Sequence, residues 1–141
     1  MSVGERNQSL ADRLDQEIYA FNVDATGLDD GLLLTVRARA EDRSLAGGLS
    51  GWTWGGCLYV DLLWVREDMR GAGLGSRLLE AAEGEALRRG CTVVSLSTHS
   101  FQAPEFYLAR GYAEVGRTEG YPVGHSQLHL RKAIGAVGGP A

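Results

Sequence analysis

The junction between residues 57 and 79 constrains the fold more than any other stretch. Cys57–Val65 is nearly continuous apolar sequence, broken only by Asp61, and it runs through a turn holding Gly71, Gly73 and Gly75 into a helix-like segment. An apolar run of that length fits a strand buried on both faces. The following segment would bury Leu74, Leu78, Ala82 and Ala86, flanked by Leu79, with Arg77, Glu80, Glu83, Arg88 and Arg89 on its charged surface. The first backbone N–H groups of such a helix have no partners within it. With the positive end of the helix dipole they form a site for an anion, typically a phosphate, and glycines let the backbone approach it closely.

The surrounding chain supplies the rest of an α/β domain. Leu10, Leu14, Ile18 and Phe21 recur at helical spacing behind Ser9, a candidate N-cap, and Gly27 ends that segment. Residues 32–40 and 45–54 are rich in β-formers and flank a polar turn, which predicts an antiparallel hairpin. Gly55 and Gly56 make the next turn. Gly90 falls at the expected end of the central helix. The short strand at 92–97 should lie parallel to the 57–65 strand through a right-handed crossover. A short helix over 103–110, with Pro104 in its first turn, precedes two closing strands at 112–116 and 127–132.

Composition narrows the function classes. The net charge of −4 argues against a broad nucleic-acid footprint. No apolar run is long enough for a membrane span, and the polar N-terminus is not a signal peptide, so the expected location is cytoplasmic. Cys57 and Cys91 form no metal-ligand cluster and read as buried free thiols, although a disulfide is conceivable if their strands are neighbours.

Two motifs resemble the GNAT N-acetyltransferase superfamily, which uses acetyl-CoA. One is Arg70-Gly71-Ala72-Gly73-Leu74-Gly75, preceded by Leu63-Trp64-Val65. The other is Phe106-Tyr107-Leu108-Ala109-Arg110-Gly111-Tyr112. Together with their flanks they span residues 57–132 in the order the family leads one to expect. The resemblance implies an α/β (α+β) fold: a mixed, mostly antiparallel sheet, a central parallel strand pair splayed at the cofactor, and helices on both faces. Chain length points to a single domain, over 1–133, and the glycine-rich end to a flexible tail over 134–141. Members usually open with a strand before the first helix, and residues 1–8 offer no clear one.

The resemblance also assigns roles. Backbone amides from Gly71 through Ala72, Gly73, Leu74 and Gly75 to Ser76 would bind the pyrophosphate, with Arg70 shaping the loop. Leu63, Trp64 and Val65 would pair with the pantetheine arm like an added strand, and one backbone N–H there would polarise the acetyl carbonyl. Ser100 stands where many relatives carry a cofactor-contacting Asn, and it could equally cap the following helix. Tyr107 would protonate the leaving thiolate, against the alternative of a packed aromatic.

Asp61 is a candidate general base because an unpaired carboxylate in an apolar strand is expensive to bury, so such a charge is either paired or functional. Strand alternation would place it on one face with Tyr59, Leu63 and Val65. His99 and His125 are rival bases, since imidazoles titrate near neutral pH. The loop with Tyr121 and His125 would border the acceptor pocket. The implied reaction is direct attack by a primary amine, a small molecule first and a protein N-terminus or lysine second. A non-catalytic acyl-CoA-binding module is the reading from a different class. Family members often dimerise, which makes a homodimer conceivable.

Overall fold

A computed structural model describes residues 1–135. The predicted tail lies, from residue 136 on, outside the described residues. The chain divides into two compact units, Met1–Asp30 and a second beginning at Gly31. The first unit is built on helix α1 (Gln8–Thr26), which buries none of its residues. Its N-cap is Asn7 rather than Ser9: the Asn7 side chain accepts from the Leu10 N–H at 3.0 Å. Gly27 ends the helix in the left-handed region at φ 75°. No strand precedes α1 among the described residues.

The second unit is a six-stranded sheet ordered β1-β2-β3-β4-β6-β5. Its strands are β1 (Leu32–Arg39), β2 (Leu45–Trp54), β3 (Cys57–Val65), β4 (Val93–His99), β5 (Ala113–Glu119) and β6 (Ser126–Ala133). Every neighbouring pair is antiparallel except β3 and β4, which are joined through helix α2 (Leu74–Arg88). This is the predicted mixed sheet with one central parallel pair. Helix α3 (Pro104–Leu108) completes the unit.

Helix α2 buries Leu74, Leu78, Leu79, Ala82 and Ala86, the stripe that its period predicts. They pack with Leu58, Val60, Val94, Leu96, Leu128 and Leu130 from the middle strands. Phe106 and Tyr107 of α3 join the same core, so α2 and α3 cover one face of the sheet. A polar network locks that layer together. The Tyr112 hydroxyl donates to Glu83 Oε2 at 2.7 Å, and Lys132 Nζ donates to both Glu83 oxygens at 3.0 and 3.2 Å. Burial, with the adjacent Glu83 carboxylate, pushes the Tyr112 phenol far up. Ile134 packs on the core, and its N–H donates to the Thr92 carbonyl at 2.9 Å. Cys57 and Cys91 form no disulfide despite lying on or beside adjacent strands.

Two features of β3 differ from its apolar sequence. The strand is not buried throughout, because its pairing with β4 stops at the Val60–Leu96 pair and leaves Asp61, Leu62 and Trp64 exposed. It is also bulged. Gly51 of β2 opposes Val60 while Ser50 opposes Leu62, so Asp61 is the extra residue. The bulge resets alternation: Leu58 and Val60 face the core before it, Leu63 and Val65 after it. Gly51 makes this possible, since a Cβ there would lie 2.1 Å from the Tyr59 carbonyl oxygen.

Candidate active site

The cleft opens where β3 and β4 part. Beyond the Val60–Leu96 pair, β3 continues against β2 to Val65 and β4 continues against β6 to His99. Their facing edges diverge, and no residue of 61–65 pairs with β4. The resulting cleft has a volume of about 870 Å³ and is bounded by β3, the glycine turn, the start of α2, the end of β4 and α3.

The floor of the wide end is the glycine turn. Gly71 and Gly73 adopt left-handed φ of 82° and 85°, and Gly73 is the N-cap of α2 with no side chain capping the helix. A Cβ on Gly71 would meet nothing within 4 Å, and one on Gly73 only Arg77 Nη1 at 3.8 Å. The protein therefore leaves clear space over the uncapped N–H groups at the start of α2, the geometry that receives an anion. Arg70 donates from Nε to the Val65 carbonyl at 2.8 Å. That bond ties the turn to the end of β3, a loop-shaping role. Arg77 Nη1 reaches the Ala72 carbonyl at 3.4 Å and steadies the same turn.

The second motif closes the other wall. Tyr107 lines the cleft and packs edge-on against Phe106 and Tyr112, with ring centroids 5.1 and 5.7 Å apart. Burial raises its pKa, so the phenol keeps its proton and remains a donor. Gly75 of α2 faces the Phe106 ring of α3, and a Cβ there would touch that ring at 3.4 Å. Arg110 spans the gap: Nε donates to Ser76 Oγ at 3.0 Å, Nη1 donates to the Phe106 carbonyl at 2.8 Å, and the guanidinium lies 4.0 Å from the Phe106 centroid.

The predicted residues fall into two groups. Asp61, Leu63, Trp64, Val65, Arg70, Gly71, Gly73, Leu74, Gly75, Ser76 and Tyr107 all line the cleft, and Ala72 sits in the turn behind it. Asp61 is exposed at the bulge rather than buried in the strand, and Leu63 and Val65 face the core instead of sharing its side. A buried-charge argument therefore does not apply to it. The second group is an aromatic cluster at the β4–β6 end. His99 stacks on Phe101 at 5.4 Å, Tyr121 meets His99 edge-on at 5.0 Å, and His125 meets Phe101 at 5.0 Å. Of these, Phe101 lines the cleft. Ser100 stands outside the lining, pairing with Ser126 through its N–H at 2.8 Å and its Oγ at 3.1 Å. It does not cap α3, whose N-cap is Ala103.

Sequence reasoning missed Phe101, Gln102 and Arg110 as cleft residues. Gln102 Oε1 accepts the His99 N–H at 2.7 Å and shapes the turn out of β4. Arg110 carried a usable signal, a cation inside an otherwise aromatic motif. Phe101 and Gln102 carried none. No group of His, Cys, Asp and Glu among the described residues is arranged to hold a metal. None of the described helices is long and apolar enough to cross a membrane.

The chain resembles known proteins in sequence and fold. Residues 5–112 match the model of the family described as Acetyltransferase (GNAT) family. The chain is 37% identical over 115 residues to an acetyltransferase of Agrobacterium fabrum, covering 82% of this chain and 84% of that protein. It is 47% identical over 101 residues to the blasticidin-S acetyltransferase of Streptomyces morookaense, covering 69% of this chain and 72% of that protein. The crystal structure of an acetyltransferase from Bacillus cereus aligns with a TM-score of 0.81 at 31% identity, over 94% of this chain and 97% of that chain.

Proposed function

The chain belongs to the GNAT acetyltransferase family, whose acetyl donor is acetyl-CoA, and on that premise we propose that it acetylates a primary amine of a small molecule by direct attack in a ternary complex. The observation that carries the reading is the splay beyond Val60 and Leu96, set between an uncapped helix start and a protonated tyrosine. Acetyl-CoA supplies an activated thioester. The start of α2 and the turn from Gly71 to Ser76 hold its pyrophosphate, which fits the clear space over those glycines. Residues 63–65, which pair with no residue of β4, offer that edge to the pantetheine arm in the manner of an added strand, with the Val65 carbonyl held by Arg70. A backbone N–H of that stretch polarises the thioester carbonyl.

Tyr107 protonates the departing thiolate. Asp61, exposed at the apex of the splay, draws the ammonium form of the acceptor into the cleft. A small acceptor is favoured by the 47% identity to an enzyme named for blasticidin S. Initial rates with acetyl-CoA and each of four acceptors test the proposal: blasticidin S, an aminoglycoside, a peptide with a free N-terminus and a lysine peptide. Intersecting double-reciprocal lines and preference for a small amine are expected. Parallel lines would overturn direct attack, and preference for a peptide would overturn the acceptor class.

A further inference from the structure

On the sheet face opposite α2 and α3, the hydroxyl of Ser97 lies 2.9 Å from Nδ1 of His129, and Nε2 of the same ring lies 3.1 Å from Thr118 Oγ1. Ser97 and His129 are register partners on β4 and β6. Ser97 is the first β4 residue past the Val60–Leu96 pair, so it stands at the apex of the splay, opposite Asp61, and lines the cleft. A hydroxyl at the reacting end of a cleft, backed by an imidazole that a third group orients, has the geometry of an activated proton acceptor.

We infer that Ser97 and His129 form the relay that removes the proton from the acceptor amine, with Thr118 fixing the imidazole. This rests on the acetyl-transfer reading above and assigns its base. An exposed carboxylate such as Asp61 attracts an ammonium, whereas a hydroxyl hydrogen-bonded to an imidazole nitrogen can accept its proton and pass one on.

The relay uses the tautomer with the proton on Nε2, in which Nε2–H donates to Thr118 Oγ1 and Nδ1 accepts from the Ser97 hydroxyl across the two observed contacts. As the ammonium gives a proton to Ser97 Oγ, the Ser97 proton passes to Nδ1, leaving imidazolium and a neutral amine. The amine nitrogen then bonds to the acetyl carbon as the carbon–sulfur bond breaks. Tyr107 gives its proton to the sulfur and recovers one from the acylated nitrogen. One proton leaves the site from His129 to solvent. The other titratable or charged groups on that sheet face are His99 on β4, Arg131 on β6, Cys57 and Tyr59 on β3, and, at the far edge, Arg37 and Arg39 on β1. Asp61 stands at the bulge, and β5 contributes the neutral Gly116 and Thr118.

The test measures kcat/KM against pH for the fastest amine of the four, with acetyl-CoA affinity by calorimetry, on wild type, His129→Gln, Ser97→Ala and Ser97→Thr. His129→Gln and Ser97→Ala should each lose about 100-fold in kcat and the acidic limb of the profile, with acetyl-CoA affinity within twofold of wild type. Ser97→Thr, which keeps the hydroxyl, should regain most of the rate and the limb. Wild-type limbs in His129→Gln or Ser97→Ala would overturn the relay alone. If His129→Gln fails to fold, a fast Ser97→Ala or a slow Ser97→Thr overturns it. Wild-type enzyme that turns over none of the four amines would remove the acetyl-transfer reading and the relay with it.

Discussion

Arg110 Nε donates to Ser76 Oγ at 3.0 Å and fastens the two signature motifs to each other across 34 residues of chain. Ser76 belongs to the first turn of α2, whose N–H groups face the cleft, and Arg110 is held in place by the Phe106 carbonyl and ring. Replacing Arg110 with Met keeps most of the packing volume and removes both hydrogen bonds. Acetyl-CoA affinity should fall roughly tenfold, the equivalent of about one charged hydrogen bond. Calorimetry measures it, and unchanged affinity would show that the bridge does not organise the turn.

Gly73→Leu addresses the cofactor cradle itself. The protein leaves space for the side chain, with Arg77 Nη1 the one neighbour within 4 Å, but φ of 85° costs a residue with a Cβ about 1–2 kcal/mol. The larger effect is obstruction of the helix start. Acetyl-CoA binding should vanish in calorimetry while the circular dichroism spectrum keeps its wild-type shape.

Tyr107→Phe removes the proposed acid and keeps the ring packing. The rate should drop about 100-fold with acetyl-CoA affinity little changed. Because burial raises the Tyr107 pKa, the acidic form persists above the ordinary tyrosine range. The wild-type kcat should therefore hold through pH 9 and decline only as pH rises past about 10, and the variant should lack that decline.

Glu83→Ala separates stability from chemistry. It leaves the Tyr112 hydroxyl and the Lys132 ammonium without their carboxylate, at a cost of about 2–3 kcal/mol. A lower urea midpoint with a near-normal kcat is expected. The wild type also carries an alkaline signature here. Tyr112 has a raised folded-state pKa, so its contribution is complete below the unfolded tyrosine value of about 10 and is lost as pH climbs above it. Tyr112→Phe should flatten that alkaline loss.

Much of this was legible in the sequence because periodicity and glycine placement are local. The α2 stripe and the hairpin follow from spacing, the parallel pair from the crossover rule, and the two motifs from their resemblance to the GNAT family. The Asp61 bulge was not legible, because it depends on Gly51 in another strand approaching the Tyr59 carbonyl, a contact no single segment encodes. The Ser97–His129 contact is hidden for the same reason: only the β4–β6 register brings those side chains together. Asn7 took the cap from Ser9 because either polar residue could start that helix and only the backbone chooses between them.

The bulge supplies a further prediction. Gly51→Ala places a Cβ 2.1 Å from the Tyr59 oxygen, so β2 and β3 must separate at the apex of the splay. Overpacking of this kind costs about 1–3 kcal/mol, and the melting temperature should fall accordingly. Catalysis should fall too, because the displaced segment carries Asp61. Retained activity alongside lowered stability would place the reacting end elsewhere.

The central claim is acetyl transfer at the splayed pair, and the most direct measurement is mass spectrometry of the four amines after incubation with enzyme and acetyl-CoA. The account predicts one acetyl group gained on a small amine, with an equal amount of free CoA released. Acetyl-CoA binding without any acetylated amine or CoA release would contradict it and leave a binding module in its place.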